Sequence, residues 1–154
     1  MLSQLFSTAN LFVLPFWVLM ILLPNWGLTR RVINSFLPFV ALTSLYLYLI
    51  GGTLSVESLQ ALANPKLPEI TRFFADPRAV TTGWVHFLVF DLFVGRWIYL
   101  EGQRTGMWTT HSLVLCLFAG PLGLLSHILT VWLTQGFGSA APNQGIPDSE
   151  SPQL

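Results

Sequence analysis

The stretch Gly83-Trp84-Val85-His86-Phe87-Leu88-Val89-Phe90-Asp91-Leu92-Phe93-Val94-Gly95-Arg96-Trp97 decides what kind of protein this is. It is apolar enough to lie in a bilayer, yet it carries a His, an Asp and an Arg. An ionised side chain near a bilayer centre costs about 2.5–3.5 kcal/mol on insertion scales. Such groups persist where they face protein, pair with one another or do chemistry, so they mark where function is to be sought. A second apolar run, residues 111–133, begins at His111 and holds His127 near its far end.

The rest of the chain has the same character. Of its 154 residues 53% are hydrophobic and 9% charged, against about 25% charged in a soluble domain. Lys+Arg and Asp+Glu number 7 each. With no basic tract, nucleic acid is excluded as a partner. A single cysteine, Cys116, excludes a disulfide framework and a cysteine-rich metal site. The first apolar run is not preceded by Lys or Arg and is not followed by a small-residue cleavage site, so it does not read as a signal peptide.

A spanning helix needs about 20 mostly apolar residues. Residues 5–23, 32–50, 79–100 and 111–133 meet that length. The fold expected is all-α: a monomeric membrane protein of four transmembrane helices in an antiparallel bundle. Helix is the conformation that satisfies its own backbone in lipid. Pro15, Pro38 and Pro121 should each bend a span. Asp76-Pro77 supplies an N-cap and a proline at the first helical position. Residues 51–78 are too many for a structureless loop. After Ser55, Val56, Leu59, Leu62 and Ala63 share a helical face, and Pro68 to Phe74 reads as another short helix. Both are expected at the membrane surface, with a packed loop as the alternative. Residues 1–135 form one domain, and 136–154, rich in Gly, Ser, Pro and Asn, read as a disordered tail. The Arg30-Arg31 pair in the first hairpin favours both termini on the non-cytoplasmic side.

If spans three and four are antiparallel, His86 and His127 fall at similar depth. Asp91 lies five residues beyond His86, about 7.5 Å along the axis and turned by about 140°. His86, Asp91 and His127 are therefore expected around one internal polar site, opposite Gly120-Pro121-Leu122-Gly123. The two histidines suit proton transfer, haem ligation or plain hydrogen bonding within the bundle. Arg96 either joins the site or snorkels to the interface. Glu101 can pair with Arg104. Trp84, Phe87, Phe90, Phe93 and Trp97 give span three an aromatic surface against which a polyene packs well.

Trp84-Val85-His86, Asp91-Leu92-Phe93 and Arg96 look like one signature. His111-Ser112, Leu115-Cys116-Leu117-Phe118, Pro121, Gly123 and Ser126-His127 look like another. Together they resemble the abscisic acid-deficient-four family of plants and photosynthetic bacteria. The resemblance implies a thylakoid or plastid membrane protein needed to make neoxanthin from violaxanthin. That conversion is an isomerisation in which an epoxide opens and a neighbouring carbon loses a proton. It is redox-neutral, so no cofactor and no metal is expected, but it needs an acid and a base. His86, Asp91, Arg96, His111 and His127 match the family's polar positions. His86, Asp91, Arg96 and His127, costly to hold within the spans, are the candidate catalytic residues. Trp84, Phe87, Phe90, Phe93 and His111 are the candidates for binding a carotenoid or other isoprenoid. The absence of a Ser- and Arg-rich transit region points to a cyanobacterial thylakoid or plasma membrane. The alternative is a non-enzymatic pigment-binding or accessory subunit partnered with photosynthetic membrane proteins.

Overall fold

The computed structural model describes residues 1–136, and these contain eight helices and no strand. They are α1 (Leu2–Leu22), α2 (Gly27–Asn34), α3 (Leu37–Gly51), α4 (Val56–Ala63), α5 (Leu67–Phe73), α6 (Pro77–Thr105), α7 (Thr110–Phe118) and α8 (Gly120–Gln135). The tail expected to be disordered lies, from residue 137 on, outside the described residues. Among the described residues, three helices are long and apolar enough to cross a membrane: Leu2–Leu22, the α2–α3 pair Gly27–Gly51, and Pro77–Thr105. Prolines set the helix starts. Pro38 opens α3 just after the break at Ser35-Phe36, and Pro121 opens α8, because a proline at the first turn gives up no hydrogen bond. Pro15 stays inside α1. The two short helices between the second and third long helices form as the sequence suggested. Ser55 caps α4 by accepting from the Ser58 N–H at 3.1 Å. Asp76 caps α6 by accepting from the Arg78 N–H at 2.8 Å.

Helix α6 is the axis of the molecule, and three neighbours pack along it. Helix α1 runs parallel to it. Trp84 Nε1 donates to Asn10 Oδ1 at 3.0 Å, Gly95 lies against the Trp17 ring, and Tyr99 OH donates to Pro24 O at 2.8 Å. Helix α3 runs antiparallel, with Phe39 edge-on to Phe93 and Tyr46 beside His86. The core gathers between these helices around Trp17, Met20, Leu42, Leu92, Ile98 and Leu113.

The third neighbour departs from the sequence expectation. Residues 111–133 do not form one span. They are two helices that double back at Ala119. Ser112 Oγ and Ser126 Oγ are 3.0 Å apart, and His111 Nε2 is 2.9 Å from Thr130 Oγ1. Residues fourteen apart on a straight helix would be separated by about 21 Å. Where the arms cross, Gly123 faces the backbone of Cys116, leaving no room for a Cβ. The hairpin tip, at Gly120, meets the carboxyl of Asp91. Asp91 is the middle residue of the 29-residue α6, so the hairpin covers only the C-terminal half of that helix.

A single span would have placed residue 101–110 and the far end of α8 on opposite sides of a bilayer. The hairpin returns them to the same side. Single cysteines replacing Arg104 and Thr134, in a Cys116→Ser background, should therefore both react with an impermeant thiol reagent from one side. Glu69→Cys, between the second and third long helices, should react from the other. Labelling of positions 104 and 134 from opposite sides would restore the four-span arrangement.

Candidate functional site

The structure separates the polar residues that the sequence had grouped. His127 is fully buried inside the hairpin, its ring edge-on to Trp97 at 4.9 Å. Trp97 lies eleven residues beyond His86 on α6, about 16 Å along the axis. His86 and His127 therefore do not share one depth. The expectation failed because it rested on a straight fourth span. Among the described residues, no group of three or more His, Cys, Asp or Glu side chains is placed to hold a metal ion.

Arg96 is engaged elsewhere. Its Nε donates to Ile33 O at 2.7 Å, an Nη reaches Asn34 O at 3.4 Å, and the guanidinium lies 4.6 Å over the Phe36 ring. It thus ties off the last carbonyls of α2, where the chain breaks before α3. Sequence reasoning had no signal for this, because Ser35-Phe36 fell inside the first turn of the second span expected over residues 32–50. Arg96→Met should lower stability by about 1–3 kcal/mol through loss of these charged hydrogen bonds. Denaturant unfolding in detergent would measure it. His111 also belongs to the hairpin, bonded to Thr130 and stacked near Trp108 at 5.0 Å. It is not among the residues exposed along α6. Glu101 pairs with Arg104 at 3.0 Å as its spacing suggested.

Asp91 is the residue that the fold singles out. Its carboxyl lies half-buried at the hairpin tip, against Gly120 at the N-terminal, positive end of α8. Its backbone carbonyl accepts from the Cys116 thiol at 3.4 Å. No side-chain hydrogen bond or ion pair occupies the carboxylate among the described residues. Below the tip, toward the N-terminus of α6, the sector that the hairpin would have covered is bare. Trp84, Phe87 and Phe90 there are 42, 59 and 55% exposed. Phe90 lies 4.6 Å from His86, so the two aromatic rings meet. His86 and Asp91 flank Phe90 on α6, and both border the open aromatic strip. Phe93, by contrast, packs on Phe39 of α3. The strip thus has a carboxyl at its head and an imidazole at its side.

An all-α protein, with three helices fit to cross a membrane and a half-length hairpin ending on a central carboxyl, is the class these features define. The chain belongs to the ABA4-like family, described as ABA DEFICIENT 4-like, whose pattern matches residues 4–127. It is similar to the protein named ABA DEFICIENT 4, chloroplastic, of Arabidopsis thaliana, with 35% identity over 133 residues. That match takes in 83% of this chain and 60% of the relative, so the chain spans about three fifths of the relative's length. No solved structure matches.

Proposed function

We propose that this chain acts in carotenoid metabolism in a photosynthetic membrane, opening the epoxide ring of a xanthophyll in a redox-neutral isomerisation. The observation that carries this reading is Asp91: a carboxyl without a hydrogen-bonding partner among the described residues, midway along the central helix, at the head of an open aromatic strip. The family relationship supports the pathway, and the strip supports the ligand class. A polyene offers a long, rigid face that gains dispersion energy against Trp84, Phe87 and Phe90. Its end ring then lies at the level of Asp91.

The chemistry needs a base at carbon and an acid at oxygen. Asp91 as carboxylate takes the carbon-bound proton while the C–O bond of the epoxide breaks. The oxygen takes one proton in return, so no proton or electron is gained or lost overall. In this reading His86, whose ring meets that of Phe90, supplies the second proton. Arg96 stays outside the chemistry as the cap of α2, and His127 as part of the hairpin.

A pigment carrier would share the aromatic strip but would not need the carboxyl. Pigment extracted from the purified protein should be enriched in xanthophyll over a control membrane protein of similar size. Phe87→Ala combined with Phe90→Ala should remove the enrichment. No enrichment over the control would leave the reading without its ligand and favour an accessory subunit of a photosynthetic complex.

A further inference from the structure

The inside of the hairpin is more polar than an intramembrane wedge has reason to be. Two close polar contacts cross it, His111 to Thr130 and Ser112 to Ser126, at 2.9 and 3.0 Å. His127 is wholly buried beside them, yet neither of its ring nitrogens has a protein partner, and the same holds for Nδ1 of His111. A buried polar atom without a partner costs about 1–3 kcal/mol, and most such atoms bind protein or ordered water. His111 and His127 lie within electrostatic reach of each other, so three such nitrogens gather inside the hairpin, and ordered water is the partner that would satisfy them.

The surroundings give that site a direction. At one end Glu101, paired with Arg104 near the end of α6, lies within electrostatic reach of His127. At the other end Cys116 follows Ser112 by one turn of α7, and its thiol donates to the backbone carbonyl of Asp91. The polar groups thus run from the outer end of the hairpin to its tip. Leu113 and Ile98, which share the core cluster with Cys116, are buried and apolar. On the other side of the tip, Asp91 meets the open aromatic strip, bordered by His86.

We propose that the α7–α8 hairpin is a proton-access route, in which water held by His111 and His127 links the outer end of α6, through the Ser112–Ser126 pair, to the carboxyl of Asp91. This deepens the proposed role of Asp91 as the acid–base group and rests on that reading. In each hop one N–H or O–H bond breaks as the next forms. After turnover Asp91 gives up the proton it took, one proton leaves at the Glu101 end, and the groups between regain their starting protonation. The route resets Asp91 when the pigment itself shields that carboxyl from every other source of water.

Hydrogen–deuterium exchange at Asp91 tests this without substrate, so its failure is separable from failure of the isomerase reading. The full chain in lipid nanodiscs is moved into deuterated buffer, and the infrared carboxyl band lost in Asp91→Asn is followed. Ser112→Ala with Ser126→Ala, and separately His127→Phe, should slow the exchange about a hundredfold, the low end of what a positioned proton-transfer group contributes. Ser44→Ala, on the outer face of α3, should not change it. If His127→Phe fails to fold, the serine pair decides, since its loss leaves the Cys116–Gly123 backbone contact in place. Exchange as fast as in the unmodified chain would overturn the proposal. So would the absence of an Asp91 carboxyl band at every pH at which the protein stays folded.

Discussion

Asp91→Asn should abolish conversion of an epoxidised xanthophyll while leaving the fold and pigment binding in place. The amide fills the same space against Gly120 but can neither take nor return a proton. Loss of a positioned acid–base group costs about 10²–10⁴-fold in rate, and at this depth bulk water cannot stand in for it. Glu101→Gln is the comparison. Glu101 lies near the end of α6 and is paired with the exposed Arg104, where water can replace a lost group. The assay is the pigment composition of a strain lacking its own copy of the protein and carrying each variant. Equal, unaltered pigments from both would remove Asp91 from the chemistry and leave the carrier reading.

The second large effect is one of sign. In a straight membrane span, Gly123→Ala would add helix propensity of about 0.8–1 kcal/mol. In the hairpin, a Cβ on Gly123 would lie 2.5 Å from the backbone N and Cα of Cys116, and backbone cannot step aside as a flexible side chain can. Gly123→Ala should therefore destabilise, by about 1–3 kcal/mol as overpacking does, and Gly123→Leu by more. Gly120→Ala should disturb the site directly, since its Cβ would meet the Asp91 carboxyl. Equilibrium unfolding in mixed micelles measures all three. A stabilised Gly123→Ala protein would mean that α7 and α8 are not packed against each other in solution.

The long helices were legible because length, hydropathy and caps agree. Asp76-Pro77 marks the start of α6, and Gly106, at φ 71°, ends it as a left-handed residue. The hairpin was not legible because residues 111–133 have the length of a span and Gly120-Pro121 also fits a local bend. A signal was present all the same. On a straight helix Ser112, Ser126 and Thr130 would be isolated polar groups at different depths. Folding back at Ala119 lets them meet one another and His111. The candidate site was partly legible as an arrangement of residues. The cost of a mid-span carboxyl pointed to Asp91, and the aromatic spacing pointed to Trp84, Phe87 and Phe90. The grouping of His86 with His127 failed with the straight span, and the role of Arg96 became visible only once α2 was seen to end at Asn34.

The half-length hairpin also gives the molecule a tapered outline. Around the C-terminal half of α6, a slice through the protein cuts α1, α2, α7 and α8 besides α6. Around the N-terminal half it cuts α1, α3 and α6. With each helix about 10 Å across, the two leaflets of a bilayer would be displaced by areas differing by about 150 Å². A wedge of that kind relieves packing strain where the leaflet on its broad side is stretched. The protein is therefore expected to favour curved membrane, as a consequence of backbone architecture alone.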